Sequence, residues 1–321
     1  MQQTNDYSIN EEWIERAGGN TLGSRFFMWV LSRMGLNVAY LFLIPASIQY
    51  VLLDKRSKEA IREFRTHLGL KTTPADYFRH FHTFGMSLID RYYFLMSNRK
   101  QFEYTAVNET IIGAEIAKGN GVILLGAHFG NWELAGNLLG DRLGAPVNFI
   151  MMDAERGEVK NTLKKATDRR NVSIIYVSPD APDAMIAVAN ALRNGEIVCF
   201  HGDRCLDSRW SETVRFLGAP ARFPTGPFVI AAITGAPLIP IFAVKKNRKE
   251  YEFRAFDPIR LGKTGRNERD QSIRTALVTY VKILEEMAEK YPYQWFNFYR
   301  FWKSQILRSE NTFKTHHAGD D

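Results

Sequence analysis

Cysteine is scarce in this chain of 321 residues, which contains two. Cys199 and Cys205 are too few for a disulfide framework or a four-ligand zinc site. Cys199 lies in the apolar run Ile-Val-Cys-Phe, which predicts a core position rather than a catalytic thiol. The sequence also lacks a Walker A lysine motif and a dinucleotide glycine fingerprint, so we expect no nucleotide cofactor.

A secretory signal is also missing, since residues 1–20 are polar and lack the basic-then-apolar order of a signal peptide. Residues 34–53 carry no charged side chain and are about long enough to cross a bilayer. A central proline and several polar residues dilute this run. Three arrangements fit it: a transmembrane helix, a kinked helix in the membrane interface, or a buried hairpin packed on the main domain. Membrane contact is favoured, because Trp29, Tyr40 and Tyr50 suit an interfacial belt.

The formal net charge of +7 favours partners of negative charge. Nucleic acid, an anionic bilayer face, phosphorylated lipids and an acidic carrier protein all qualify. Nucleic acid is disfavoured, because the aromatic residues lie within apolar runs rather than among exposed basic residues.

The succession of apolar runs predicts an α/β fold. Residues 57–105 have the three- and four-residue spacing of helices. From residue 121 onward, short apolar strands alternate with helical stretches, which is typical of a mostly parallel sheet flanked by helices. Residues 251–256 alternate and predict an edge strand. The other predicted strands are 121–127, 147–151, 173–177, 197–200 and 238–244, and the predicted helices are 131–139, 155–170, 181–193, 224–234 and 269–290.

The clearest chemical signal is the hexapeptide His-Phe-Gly-Asn-Trp-Glu at 128–133, directly after the first of these strands. Ligands of open α/β sheets bind beyond the carboxyl ends of strands, so His128 emerges where a site is expected. Side chains five residues apart on one helix point about 140° apart. His128 and Glu133 therefore share a site only across a strand-to-helix corner. Gly130 permits that corner, and Asn131 suits the helix N-cap.

A carboxylate beside the imidazole can orient it and stabilise the imidazolium formed when histidine accepts a proton. The motif contains no serine, so the expected nucleophile is a hydroxyl group of the substrate. The alternative is a core histidine beside a helix-capping glutamate. His128 and Glu133 could also hold a metal, but no third ligand is evident and we expect none.

These residues resemble a known family. H-x4-E after an apolar strand resembles the first signature of the glycerolipid acyltransferase superfamily, and the hexapeptide is similar to that of the bacterial lipid A biosynthesis acyltransferases. Residues 11–18 and 204–210 look more like a branch associated with aryl polyene lipid biosynthesis. The resemblance covers about residues 25–303. Its further blocks are Phe-His-Gly-Asp-Arg at 200–204, the segments 216–218 and 223–227, Gly-Ala-Pro-Leu-Ile-Pro at 235–240, and Pro-x-Gln-Trp at 292–295.

The resemblance implies transfer of a fatty acyl chain from an acyl carrier protein thioester to a hydroxyl of a membrane glycolipid, with His128 and Glu133 as catalytic residues. It implies no cofactor beyond that co-substrate. It also implies a bacterial inner-membrane location, with the catalytic domain on the cytoplasmic side. The expected organisation is a polar lead (1–24), a membrane-associated helical segment (25–56), an acyltransferase domain (57–303) and a disordered tail (304–321).

Several residues are candidates for substrate binding. Asp203 and Arg204 resemble the family's acidic residue and the arginine that meets the acceptor's phosphate or head group. A guanidinium group can pair bidentately with phosphate or carboxylate oxygens. The alternative is an internal salt bridge of Arg204 with Asp203 or Asp207. The remaining candidates are Asn131, Arg170 and Arg222. The alternative for Arg170 is a solvated helix end. Arg222 precedes a turn and a helix start, where an anion can bind.

Two other functions fit the sequence. A lipid hydrolase on the same fold would use water in place of the acceptor hydroxyl. A non-catalytic protein could recognise anionic lipids through its basic face, although the intact motif argues against it.

Overall fold

The computed structural model describes residues 21–96, 102–119, 121–132, 134, 143–152, 172–177, 183–205, 210–262 and 266–302. The predicted lead (apart from residues 21–24), the tail, the helix 155–170 and most of the helix 131–139 lie outside this range. The described elements, in chain order, are α1 (Thr21–Met34), α2 (Leu36–Leu53), α3 (Lys55–His67), α4 (Pro74–Met96), β1 (Glu103–Val107), α5 (Glu109–Ile116), β2 (Val122–Gly126), β3 (Val147–Met152), β4 (Val172–Val177), α6 (Asp183–Arg193), β5 (Ile197–His201), β6 (Ser211–Phe216), β7 (Ala219–Pro224), α7 (Gly226–Thr234), β8 (Leu238–Lys245), β9 (Glu250–Ala255) and α8 (Arg266–Lys290).

A seven-stranded sheet in the order β1-β9-β8-β2-β5-β3-β4 forms the centre of the protein. All neighbouring strands are parallel except β8 and β9, so the predicted α/β class with a mostly parallel sheet is confirmed. Strands β2 and β8 are buried along their whole length. Both faces of a central strand are covered, and its sequence is therefore a nearly continuous apolar run, as in residues 122–126 and 238–244.

Two hydrophobic clusters cover the two faces of the sheet. Ile123 and Leu125 of β2 belong to one cluster, and Val122 and Leu124 belong to the other. Helix α8 packs on the first face. Its buried side chains recur every three or four residues, as in an amphipathic helix, and they include Leu277, Tyr280, Leu284 and Met287.

The edge of the sheet differs from the prediction for residues 251–256. Strand β9 lies second from the edge, because β1 pairs beyond it in parallel register. The first three residues of strand β1 fall within residues 57–105, which the spacing assigned to helices. A five-residue strand with mixed exposure offers too short a pattern to be separated from the helical sequence before it.

The hairpin β6–β7 was not predicted either. Its strands pair antiparallel from Ser211 opposite Pro224 to Phe216 opposite Ala219. The two turn residues, Leu217 and Gly218, both have positive φ angles, 46° and 83°. Two positive φ values in a two-residue loop are those of a type I′ turn, which matches the twist of paired strands. Leucine is an uncommon residue there, so the sequence offered little signal.

The N-terminal helices are attached to the sheet by a buried polar cluster. Lys245, at the end of β8, lies 2.5 Å from Asp90 of α4. Asp90 also accepts hydrogen bonds from the hydroxyls of Tyr40 on α2 and Tyr251 on β9. The Lys245 ammonium donates to Tyr40 as well, at 3.1 Å. A charge pair buried this completely is tolerated because each partner is hydrogen-bonded.

Candidate active site

His128 stands on a sharp corner after β2. Gly130 adopts φ of +61°, which confirms the predicted corner, and a Cβ atom there would lie 1.9 Å from the carbonyl oxygen of Ala243. Only glycine allows the chain to pass the backbone of β8 at this distance. The C-terminal segment holds the corner from the other side. Its Phe296 N–H donates to the His128 carbonyl at 2.7 Å, and Gly130 N–H donates to the Gln294 carbonyl at 2.8 Å.

The imidazole of His128 contacts a buried carboxylate from the end of a neighbouring strand. Nδ1 of His128 lies 2.8 Å from Oδ1 of Asp203, which follows β5. Oδ2 of Asp203 accepts the backbone N–H of His128 at 2.9 Å and the indole N–H of Trp295 at 3.0 Å. The carboxyl ends of β2 and β5 are adjacent, and their parallel pairing brings together residues 75 positions apart.

The pKa values of His128 and Asp203 depend on burial and on the charges around them. Burial alone would raise the pKa of Asp203, but the neighbouring His128 and Arg204 outweigh burial and hold that pKa well below its usual range. Asp203 is therefore an anion that accepts hydrogen bonds, and Nδ1 of a neutral His128 must carry the proton. Nε2 is then the nitrogen that can take up a proton. The pKa of His128 is lowered, chiefly by burial and also by Arg204, against the opposing effect of Asp203.

Two members of the hexapeptide were assigned roles beside His128. Glu133 lies outside the described residues, so its role in orienting the imidazole stays a prediction, while Asp203 is the carboxylate that contacts Nδ1. Asn131 is 4% exposed. Its amide donates to the Ser87 carbonyl at 3.1 Å and lies 3.5 Å from the hydroxyl of Tyr251. These contacts attach the corner to α4 and β9.

The three candidate arginines occupy different positions. Arg204 follows Asp203, its guanidinium donates to the Phe296 carbonyl at 3.4 Å, and it lies 5.9 Å from the centre of the Tyr299 ring. Arg222 lies on β7, opposite Thr213 in the hairpin. Arg170 lies outside the described residues. Arg204 is thus the described arginine whose charge acts on the His128–Asp203 pair.

An apolar cleft lies beside this pair, on the sheet face that carries Leu124 and Cys199. The space between its walls amounts to about 410 Å³, a volume that includes open solvent. Cys199 lines the cleft, but burial raises the pKa of its thiol to about 12, so it stays protonated. The residues lining the cleft are Leu124, Gly126, Trp132, Phe149, Ile150, Cys199, Phe200, His201, Ile241 and Ala243.

Two contributors to the site were not identified from the sequence. Trp295 was recognised as part of a Pro-x-Gln-Trp block, yet its contact with Asp203 is a long-range one that spacing does not show. His201 was quoted within Phe-His-Gly-Asp-Arg without a role. Its ring centre lies 4.2 Å from that of His128. Its position directly after the predicted strand 197–200 was the signal that could have identified it.

A histidine held by a buried carboxylate at the carboxyl ends of a parallel sheet is suited to general base catalysis on an external nucleophile. A family model, bacterial lipid A biosynthesis acyltransferase, matches residues 79–304, and the chain belongs to that family.

Curated relatives match part of the chain. This chain is 32% identical to a phosphatidylinositol mannoside acyltransferase of Mycobacterium tuberculosis over 132 residues, which are 40% of each chain. It is 30% identical over 127 residues to the protein of that name from Mycolicibacterium smegmatis, over 38% of this chain and 40% of the relative. The matches thus span about two fifths of the length of these relatives.

Proposed function

We propose that this protein is an O-acyltransferase that moves a fatty acyl chain from an acyl carrier protein thioester to a hydroxyl group of a membrane glycolipid. The observation that carries the proposal is the 2.8 Å contact between His128 and the anionic Asp203, beside an apolar cleft. Membership of an acyltransferase family supports the type of reaction. The names of the mycobacterial relatives support an acceptor that carries sugar.

In this mechanism Nε2 of His128 takes the proton of the acceptor hydroxyl, and the oxygen attacks the thioester carbonyl. Asp203 holds the imidazole and stabilises the imidazolium. General base catalysis of this kind contributes about 10²- to 10⁴-fold in rate. In this proposal the acyl group passes directly to the acceptor. Cys199 takes no part, because burial raises the pKa of its thiol to about 12. We place Glu133 as a second carboxylate of the site.

The substrates are proposed from charge. A net charge of +7 attracts an acidic carrier protein and an anionic membrane. Arg204, next to the His128–Asp203 pair, suits a phosphate or carboxylate of the acceptor, with Asn131, Arg170 and Arg222 as further candidates. A lipid A-type glycolipid and a lipid of the aryl polyene class both remain predictions for the acceptor.

We further propose that α1 and α2 lie in the interface of the bacterial inner membrane, with the catalytic domain on the cytoplasmic side. Helix α2 is long and apolar enough to cross a membrane by composition. One face of α2 packs along α4, however. Tyr40 contacts Asp90 near one end, and Ser47 lies 3.3 Å from His82 further along. A helix held along its length against a domain can insert its other face without crossing the bilayer.

The exposed face of these helices has the chemistry of an interfacial surface. Arg33 and Lys55 are exposed at the two ends of α2, where anionic head groups would meet them. Among the described side chains of α1 and α2, the large apolar ones that are exposed are Phe26, Trp29, Met34, Leu41, Phe42, Ile44, Ile48, Tyr50, Leu52 and Leu53.

Membrane binding is tested by flotation with vesicles that contain anionic lipid. The double variant Trp29→Ser/Leu41→Ser should lose binding, whereas Ile186→Ser, which alters an equally exposed apolar residue on α6, should not. Alkaline carbonate should release the wild-type protein from membranes. Retention after carbonate treatment would show that α2 crosses the bilayer.

Acyl transfer is tested with the full chain on vesicles, supplied with acyl carrier thioester and a bacterial glycolipid fraction. Mass spectrometry should show one added acyl mass on a lipid, and His128→Ala should abolish it. His67→Ala, in a histidine at the end of α3 that does not line the cleft, is the matched control and should stay active. Free fatty acid as the sole product would identify a hydrolase. Lipid binding without either product would support a non-catalytic role.

A further inference from the structure

His201 ends β5, beside both His128 and the cleft. His201 pairs in register with Gly126 of β2. Since Gly126 has no side chain, it leaves space next to the imidazole of His201. The ring centre of His201 lies 4.2 Å from that of His128 and 4.1 Å from that of Trp132. His201 is among the residues that line the cleft. Nε2 of His201 is buried and has no hydrogen-bond partner among the described residues.

His201 is neutral under ordinary conditions. Burial, followed by the neighbouring His128, lowers its pKa well below the usual value. A second positive charge would also be unfavourable at this distance once His128 has taken a proton. A neutral imidazole has one N–H donor. His201 can therefore supply a hydrogen bond in the cleft throughout the reaction without exchanging a proton.

The reaction proposed above requires such a donor. When the acceptor oxygen attacks the thioester carbon, the carbonyl electrons move to oxygen and form an anion. Most of the cleft wall is apolar, with Leu124, Phe149 and Ile241 among its residues, so the wall offers that anion little stabilisation. Donors aimed at a developing oxyanion in a site of this kind contribute about 10²- to 10³-fold each in kcat.

Arg204 is the other candidate for this task, but Arg204 is not among the residues that line the cleft. Its guanidinium donates to the Phe296 carbonyl and lies over the Tyr299 ring, both in the C-terminal segment. Neither of these residues lines the cleft, whereas His201 does. This arrangement assigns the head group to Arg204 and leaves the carbonyl to His201.

We propose that His201 is a catalytic residue that donates a hydrogen bond from its imidazole N–H to the thioester carbonyl oxygen and stabilises the oxyanion. The inference rests on the proposed function. His128 removes the hydroxyl proton, the new C–O bond forms, and the C–S bond then breaks. The departing thiolate takes its proton from His128, and His201 keeps its own proton in every step.

The test compares two substitutions of different hydrogen-bonding capacity. His201→Leu fills a similar volume without a donor and should lower kcat by about 10²- to 10³-fold with little change in KM. His201→Gln keeps an N–H donor but cannot act as a base, and it should recover most of the lost kcat. His201→Met is a second donor-free variant, in case leucine is not accommodated, and thermal unfolding checks each fold.

Three outcomes separate the possibilities. Unchanged kcat in a folded donor-free variant would overturn the inference while wild-type transfer, and with it the proposed function, stands. Equal losses of kcat in the glutamine and leucine variants would also overturn it, because restoring an N–H donor would then not restore catalysis. No acyl transfer by the wild-type protein would instead be a failure of the proposed function.

Discussion

The indole N–H of Trp295 donates to Oδ2 of Asp203 at 3.0 Å, on the opposite side of the carboxylate from the imidazole of His128. This contact extends the site into the C-terminal segment, where the Gln294 side chain exchanges two hydrogen bonds with the backbone of Lys245. A mobile carboxylate could not hold the imidazole in one tautomer. The segment after α8 therefore supports the catalytic pair.

Asp203→Asn should lower kcat by about 10²- to 10⁴-fold, in the range expected for losing the general base. Both oxygens of Asp203 accept N–H groups, one from His128 Nδ1 and the other from the His128 backbone and Trp295. An asparagine cannot present acceptors on both sides. With its oxygen toward the two N–H groups, its NH₂ faces Nδ1 and forces the proton of His128 onto Nε2.

Steady-state kinetics of acyl transfer checks this prediction, with binding of the thioester measured separately. The isosteric Asn should leave binding unchanged. Glu133→Gln is the informative comparison, since it alters the carboxylate that the hexapeptide suggests. If Glu133→Gln abolishes turnover and Asp203→Asn does not, Glu133 rather than Asp203 orients the imidazole.

The acid limb of the pH profile should lie below the ordinary histidine pKa of about 6.5. The general base must be neutral, and burial lowers the pKa of His128, with Arg204 acting in the same direction. Transfer is therefore retained as pH falls through 6.5 and is lost only below the lowered pKa. The acid limb of kcat/KM reports this pKa in the free enzyme.

Arg204→Gln removes a positive charge beside His128 and should raise its pKa, which moves the acid limb to higher pH. Wild-type protein measured at the same ionic strength is the reference. A limb that does not move, or that moves to lower pH, would show that the charge of Arg204 does not act on His128.

Gly130→Ala should both destabilise the protein and reduce transfer. A left-handed backbone costs about 1–2 kcal/mol for an ordinary L-residue, and here the new Cβ would also meet the Ala243 carbonyl. Gly144→Ala is the matched control, because Gly144 has φ of +66° but open space around its Cβ position. Denaturant unfolding should show the larger loss at residue 130, and kcat should fall for that variant alone. Equal losses would mean that the close approach at Gly130 is unimportant.

Gly130 and Asp203 also show how far the sequence could lead. The corner at Gly130 was predictable, because a strand, a glycine and a helix start follow one another within a few residues. The contact of Asp203 with His128 was not predictable, because the two residues are 75 positions apart in the sequence. Spacing pointed instead to Glu133, the carboxylate five positions after His128. The same limit explains β1, which becomes a strand through pairing with β9, almost 150 residues later.

Asp90→Ala should destabilise the protein by about 3–5 kcal/mol, the usual cost of removing one partner of a buried ion pair. Asp90 is fully buried, and its loss leaves the Lys245 ammonium, 5% exposed, without the carboxylate 2.5 Å away. It also removes the acceptor of the Tyr40 and Tyr251 hydroxyls. The change should loosen α2 from the sheet.

Urea unfolding in detergent micelles measures this loss. Replacing Lys245 as well, in Asp90→Ala/Lys245→Met, should recover part of the stability, since no uncompensated charge then remains buried. Arg254→Ala breaks a more exposed pair with Glu252 and should cost less than about 1 kcal/mol. If the double variant is no more stable than Asp90→Ala, the cost comes from the two tyrosine hydroxyls rather than from the buried ammonium.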